Sequence, residues 1–167
     1  LSRSVGSPQD FERAAHWFTL AAEQGQLMAQ ISLAALYVSG QGVQTDYTEA
    51  AKYYAMAAEQ GDVGAQLTLA EMYLSGQGVD QNYEQAARYY LLAAGRGEVA
   101  AQFSMALMYR DGLGVEQNYE EAANFYRMAA EQGHIAAMFS LAGMYESGEG
   151  IEQNCEQAFR WYRLAAG

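Results

Sequence analysis

The chain has 167 residues, of which 51% are hydrophobic and 13% aromatic, so it has enough apolar side chains for a core. Twenty acidic residues against nine basic ones give a formal net charge of −11. Because nucleic acids and anionic lipid surfaces are bound by clustered cations, we expect neither as a partner. No apolar run approaches the roughly 18 residues of a membrane span, so we expect a soluble protein without membrane insertion.

Four similar stretches divide the chain into repeats. "YVSGQGVQTDY" begins at position 37, "YLSGQGVDQNY" at 73, "YRDGLGVEQNY" at 109 and "YESGEGIEQNC" at 145, so the starts differ by 36 each time. A fixed period of this size is typical of stacked repeats that pack mainly on their neighbours. We therefore predict a single all-α solenoid over 1–167. Its parts are the second helix of a partial repeat at 8–24, repeats at 25–60, 61–96 and 97–132, and a nearly complete repeat at 133–167.

The first helix of each repeat is predicted from an apolar stripe. In the first full repeat Ala29, Leu33, Leu36 and Tyr37 follow the spacing i, i+4, i+7, i+8, which places them on one face of a helix. Equivalent stripes recur in the other three repeats.

The loop after this helix carries two glycines, Gly40 and Gly42 in the first full repeat. Glycine adopts positive φ angles that other residues resist, so we expect a tight turn that returns Val43 to the core. A phosphate-binding loop would need a preceding strand and a third glycine or a Gly-Lys-Ser/Thr ending. None of the four loops follows a predicted strand, and none has a third glycine or a Gly-Lys-Ser/Thr ending. A structural turn is therefore favoured.

The second helix of each repeat begins with a capping signature. Asp46 can accept bonds from the free N–H groups of the first turn, and Glu49 follows three residues later, as in a capping box. The pairs Asn82 and Gln85, Asn118 and Glu121, and Asn154 and Gln157 repeat this signature. Gly61 and its equivalents are expected to end these helices.

Residues with catalytic or metal-binding chemistry are few and scattered. His16, His134 and Cys155 fall at different places in the repeat, whereas a zinc site wants about four convergent ligands. We therefore expect no metal and no other cofactor.

Cys155 takes the place of a tyrosine in the other repeats, which suggests a small residue near the core. The only lysine, Lys52, follows Glu49 three residues later, so the Ser-x-x-Lys motif of β-lactam-recognising enzymes is absent. We expect no enzymatic activity.

The motif "AQxxLAxxYxxGxGVxxxYxxAAxYYxxAAEQG" describes the first two full repeats. It resembles the Sel1-like repeat family, relatives of the tetratricopeptide repeats, over Asp10 to Gly167. The resemblance implies antiparallel helix pairs coiled into a right-handed superhelix that serves as a scaffold or adaptor for proteins or peptides. It also implies roles in the bacterial envelope, in signalling, in host interaction or in eukaryotic quality control, so the compartment stays open. A Helicobacter branch with cysteine pairs is associated with penicillin binding, but those pairs are absent here.

The resemblance implies that the first helix of each pair lines the concave surface, so sixteen positions on these helices away from the apolar stripe are predicted to face it. Val38, Leu74, Arg110 and Glu146 occupy one repeat position yet differ in chemistry, as recognition residues do. The sixteen are Ser32, Ala35, Val38, Ser39, Thr68, Glu71, Leu74, Ser75, Ser104, Leu107, Arg110, Asp111, Ser140, Gly143, Glu146 and Ser147.

The leading hypothesis is a protein-interaction scaffold that binds a protein or extended peptide there. The acidic residues favour a segment with basic and small apolar side chains, bound in a salt-sensitive way. One alternative is a structural spacer within a longer array, with no ligand of its own, and a β-lactam-recognising enzyme ranks third.

The last helix carries Phe159, Trp161, Tyr162 and Leu164. Terminal faces of arrays are usually polar, so we expect a further helix there or end-to-end self-association.

Overall fold

The computed structural model describes residues 8–167, which form nine helices and no β-strand. The predicted all-α class is thus confirmed, and the first seven residues of the predicted solenoid lie outside the described part. The helices are α1 (Pro8–Glu23), α2 (Leu27–Ser39), α3 (Tyr47–Glu59), α4 (Val63–Ser75), α5 (Tyr83–Gly95), α6 (Val99–Asp111), α7 (Tyr119–Glu131), α8 (Ile135–Ser147) and α9 (Cys155–Ala166). The even-numbered helices are the first helices of the repeats, and the odd-numbered ones are the second helices.

The helices fall into two compact units, each with an alanine-rich core. Unit 1 contains α1–α4 and ends at Asn82, and unit 2 contains α5–α9 from Tyr83. Leu33 and Tyr53 are buried among alanines in unit 1, as are Tyr126 and Leu141 in unit 2. Because alanine side chains are small, neighbouring helices approach closely, and the larger side chains fill the space that remains.

The predicted caps are found at three second helices. The carboxylate of Asp46 accepts bonds from the N–H groups of Thr48 and Glu49, at 2.9 and 3.1 Å. Asn118 and Asn154 cap α7 and α9 in the same way. The N–H of Asp46, which a capping box would pair with Glu49, instead donates to the Tyr37 carbonyl at 3.0 Å. This bond closes the loop between the two helices of the repeat.

The second loop glycine has a role that the sequence analysis did not foresee. Gly78 and Gly114 have φ angles of 76° and 70°, as predicted for a tight turn. In addition, a Cβ on Gly78 would overlap the carbonyl of Tyr47, and one on Gly114 would overlap the carbonyl of Tyr83. Each loop therefore lies directly on the backbone at the start of the second helix of the preceding repeat.

Buried glutamines form a second link between repeats. Gln30 is only 1% exposed, and its Nε2 donates to the Ala22 carbonyl at 3.3 Å, while its Oε1 accepts from Gln60 Nε2 at 2.7 Å. Gln102 makes the same two bonds in unit 2, to Ala94 and from Gln132. The "AQ" of the motif thus joins α2 and α6 to the helices on either side of them, whereas Gln66 in α4 makes only the bond to the Ala58 carbonyl.

The close approach at the loop predicts a specific difference between two glycine substitutions. Gly114→Ala and Gly97→Ala both place alanine at a positive φ, which costs about 1–2 kcal/mol. Only Gly114→Ala also forces a side chain onto a neighbouring backbone, because the space around Gly97 is open. We expect Gly114→Ala to lower the free energy of unfolding by about 3 kcal/mol or more, and Gly97→Ala by about 1 kcal/mol. Urea unfolding followed by circular dichroism measures both, and equal losses would show that the overlap is relieved cheaply.

Candidate partner-binding face

None of the sixteen predicted surface residues is buried. Nine of them are exposed and seven are half-buried. The exposed ones are Ala35, Val38, Ser39, Glu71, Ser75, Arg110, Asp111, Glu146 and Ser147; the half-buried ones are Ser32, Thr68, Leu74, Ser104, Leu107, Ser140 and Gly143.

In unit 1, four of the predicted residues line one cleft of about 150 Å³. We call it the unit 1 cleft, and it is lined by Val38, Tyr47, Tyr54, Thr68, Glu71, Met72, Ser75 and Gln77. Met72 is buried and Tyr54 is half-buried, so the deeper part is apolar and aromatic. Burial also raises the pKa of Tyr54 above its ordinary value.

In the unit 1 cleft the hydroxyl of Ser75 is hydrogen-bonded, whereas the carboxylate of Glu71 has no hydrogen-bond partner among the described residues. The hydroxyl of Ser75 donates to the Glu71 carbonyl at 2.8 Å, so it is turned back onto its own helix. The carboxylate of Glu71 forms no ion pair and no side-chain hydrogen bond with any residue in 8–167. The cleft therefore combines an aromatic floor with an exposed, unneutralised carboxylate.

In unit 2, Arg110 and Ser140 contact the hydroxyl of Tyr126 and Asp111 pairs with Arg110, and we call these four residues the unit 2 cluster. Arg110 is paired with Asp111 through two bonds, Nε to Oδ1 at 2.7 Å and Nη2 to Oδ2 at 2.9 Å. Its remaining nitrogen, Nη1, donates to the Tyr126 hydroxyl at 3.4 Å. Ser140 on α8 forms a hydrogen bond with the same hydroxyl.

Charge and burial shift the pKa values in the unit 2 cluster. The hydrogen bonds from Arg110 lower the pKa of Asp111, and the same bonds raise the pKa of the guanidinium. Tyr126 is fully buried, and desolvation raises the pKa of its hydroxyl. Arg110 therefore keeps its charge and holds its counterion at any physiological pH.

Glu146 meets a tyrosine in the same way. The hydroxyl of Tyr162 on α9 donates to Glu146 Oε2 at 3.0 Å, and this bond raises the pKa of Tyr162. The variable residues Val38, Arg110 and Glu146 thus each lie near the tyrosine sixteen residues further on, in a second helix.

The sequence did not place these tyrosines at the binding surface, because only the first helices were predicted to form it. A tyrosine recurs at the 36-residue period in four of the five second helices, as Tyr54, Tyr90, Tyr126 and Tyr162, and α1 has Phe18 at this position. The constant tyrosine sixteen residues after each variable position was the sequence signal that could have identified these contacts.

Other candidate residues have structural roles. The hydroxyls of Ser39 and Ser147 donate to carbonyls of their own helices, at 3.3 and 3.4 Å. His134 caps α8 by accepting from the Ala137 N–H at 3.2 Å, and its ring stacks on Phe103. Cys155 is exposed as the first residue of α9, so its expected place near the core was wrong.

Residues 8–167 contain neither a metal-binding cluster nor a membrane-spanning helix. No three His, Cys, Asp or Glu side chains are grouped so that they could hold a metal ion. None of the described helices is both long and apolar enough to cross a membrane.

The repeated helix pairs define a helical-repeat protein of the solenoid class. The chain belongs to the Sel1 repeat family, whose model matches residues 1–26, 27–62, 63–98, 99–134 and 135–166. The resemblance seen in the sequence is therefore confirmed. Sel1 repeat proteins generally act as protein-interaction scaffolds rather than as catalysts.

Solved structures of other Sel1 repeat proteins share this fold. A Sel1 repeat protein from Oxalobacter formigenes is 35% identical with a TM-score of 0.84, over 93% of this chain and 64% of that one. A protective antigen of uropathogenic Escherichia coli with an SLR fold is 38% identical with a TM-score of 0.82, over 90% of this chain and 32% of that one. This chain thus spans less than two thirds of either relative.

A more distant structure shows the fold alone. Cysteine rich protein B from Helicobacter pylori is 21% identical with a TM-score of 0.58, over 80% of this chain and 96% of that one. No curated protein sequence matches the chain.

The Arg110–Asp111 pair predicts how the Asp111 carboxyl titrates. Because the guanidinium favours the charged carboxylate, Asp111 loses its proton at a lower pH than an ordinary aspartate does. We expect Arg110→Gln to raise the pKa of Asp111 back to the ordinary range. The pKa is measured as the midpoint of a pH titration followed by carboxyl-carbon NMR. Arg127→Gln removes a cation that does not contact Asp111 and serves as the control. A midpoint that Arg110→Gln leaves unchanged would contradict the pairing.

Proposed function

We propose that this chain is a non-catalytic scaffold that binds an extended segment of a partner protein at the last turns of its first helices. The observation that carries the proposal is the contrast between constant tyrosines and the variable residues that they meet. Tyr54, Tyr126 and Tyr162 recur at the period, whereas the facing residues are Val38, Arg110 and Glu146. A position that only packs would keep its chemistry from repeat to repeat.

The chemistry of these surfaces supports a protein partner. Tyr54 and Tyr162 are only half-buried, so part of each ring is open to a partner, and tyrosine is enriched at protein interfaces. The unit 1 cleft adds apolar side chains and one free carboxylate, and the unit 2 cluster adds a guanidinium with its counterion. Such surfaces suit a peptide that presents both small apolar and charged side chains.

The electrostatics indicate which peptides bind best. The chain carries a net charge of −11, and Glu71 and Glu146 are both exposed. A segment with basic residues is therefore attracted from a distance, and its association slows as salt screens the charges.

Selection of peptides from a displayed library on the intact chain, followed by calorimetry, tests the proposal. The test variant combines Glu71→Lys, Arg110→Glu and Glu146→Lys. We expect it to bind the selected peptides about tenfold or more weakly than the wild type does, which corresponds to about 1.4 kcal/mol.

The matched control variant combines Glu59→Lys, Arg96→Glu and Glu131→Lys. These residues are exposed at the ends of second helices, and the total change in charge is the same as in the test variant. We expect the control to bind almost as well as the wild type. Equal weakening by both variants would place binding elsewhere, and the absence of any selected peptide would favour the spacer alternative.

A further inference from the structure

One part of the chain shows what fits beside these tyrosines. In unit 2, the guanidinium of Arg110 lies at the hydroxyl of Tyr126 and fills that position with the chain's own side chain. Two periods earlier, at position 110 − 72 = 38, the chain has Val38, and the tyrosine at position 126 − 72 = 54 is Tyr54. Because valine is short and apolar, the corresponding place in unit 1 has no guanidinium and is an open cleft.

We propose that the unit 1 cleft binds the guanidinium of an arginine side chain presented by an extended segment of a partner protein. The inference rests on the proposed scaffold function and identifies the side chain that this cleft selects. The partner's arginine would take the place in unit 1 that Arg110 takes in unit 2.

The groups of the cleft match each part of an arginine side chain. Val38 and Met72 offer apolar surface to its methylene groups, which long cationic side chains readily bury. The Tyr54 hydroxyl makes no hydrogen bond with another residue of the described chain, so it is available to accept one, as the Tyr126 hydroxyl does.

A counterion is present in both units, but at different positions. In unit 2 it is Asp111, whose equivalent in unit 1 is Ser39. In unit 1 it is Glu71, whose equivalent in unit 2 is Gly143. Arg110 thus has its counterion within the chain, whereas Glu71, which lines the unit 1 cleft together with Tyr54, has no cation among the described residues. This complementarity is what selects a cationic occupant.

The geometry favours arginine over lysine. A guanidinium is planar and can donate two parallel bonds to a carboxylate while a third nitrogen reaches a hydroxyl, as Arg110 does with Asp111 and Tyr126. An ammonium is a compact point charge and cannot make the same set of contacts. We therefore expect the cleft to distinguish the two residues.

NMR titration of the intact chain with three capped pentapeptides tests the inference. The peptides have the sequence Ala-Ala-X-Ala-Ala, in which X is arginine, lysine or citrulline, the neutral isostere of arginine. We expect the arginine peptide to shift the signals of Tyr54, Thr68 and Glu71. The citrulline peptide should bind about tenfold or more weakly, because it lacks the charge, and the lysine peptide should lie between them.

Two variants of the unit 1 cleft and one variant of the equivalent place in unit 2 test the site. Val38→Arg supplies the arginine from the chain itself, and the fold should tolerate it because unit 2 has arginine at this position. Glu71→Gln removes the counterion. We expect each to weaken binding of the arginine peptide about tenfold, with unchanged circular dichroism. Arg110→Val opens the equivalent place in unit 2 and should produce new shifts at Tyr126 and Ser140.

The outcomes separate this inference from the proposed function. Arginine-selective shifts that Val38→Arg abolishes would support it. If the library-selected peptides bind but the shifts at Tyr54 and Thr68 do not depend on the guanidinium, the inference is wrong while the scaffold function stands. If neither the pentapeptides nor any selected segment binds, both are wrong.

Discussion

The structure of each repeat depends on one close contact between backbones. The second glycine of each loop lies against the first residue of the preceding second helix, as Gly78 does on Tyr47, and no side chain fits between them. The N–H of the cap residue, Asp46 for example, fixes the loop from the other side through the Tyr37 carbonyl. The last turn of each first helix is therefore held in one position, and the side chains at its surface can vary without altering the backbone.

This constraint is what allows equivalent positions to be compared across repeats. Val38, Arg110 and Glu146 leave the same kind of helix turn and meet the same kind of tyrosine, so their different chemistry gives different local surfaces. One place holds an arginine with its counterion, one holds a glutamate bonded to a tyrosine, and one is an open cleft with a free carboxylate. On the proposed function, a partner would be recognised by side chains on a fixed backbone, which keeps the cost of reorganisation on binding small.

Much of the fold could be predicted from the sequence, because a repeated motif shows which positions keep their character. The period, the helix stripes, the caps at Asp46, Asn118 and Asn154, and the positive φ of the loop glycines all follow from local chemistry. Contacts between repeats could not be predicted, because the sequence does not show which residue of one helix contacts which residue of the next. For this reason the backbone contact of Gly78 and the buried bonds of Gln30 were not foreseen. The variable residues of the candidate site were identified, but their tyrosine partners were not.

The central claim is that the unit 1 cleft is the place of a guanidinium that this chain does not itself supply. A crystal structure of the intact chain with the capped arginine pentapeptide tests it most directly. The account predicts the guanidinium at the Tyr54 hydroxyl, as Arg110 lies at the Tyr126 hydroxyl, with its other nitrogens about 2.7–3.0 Å from the Glu71 carboxylate oxygens. A peptide bound with its arginine away from Tyr54 and Glu71 would contradict the claim.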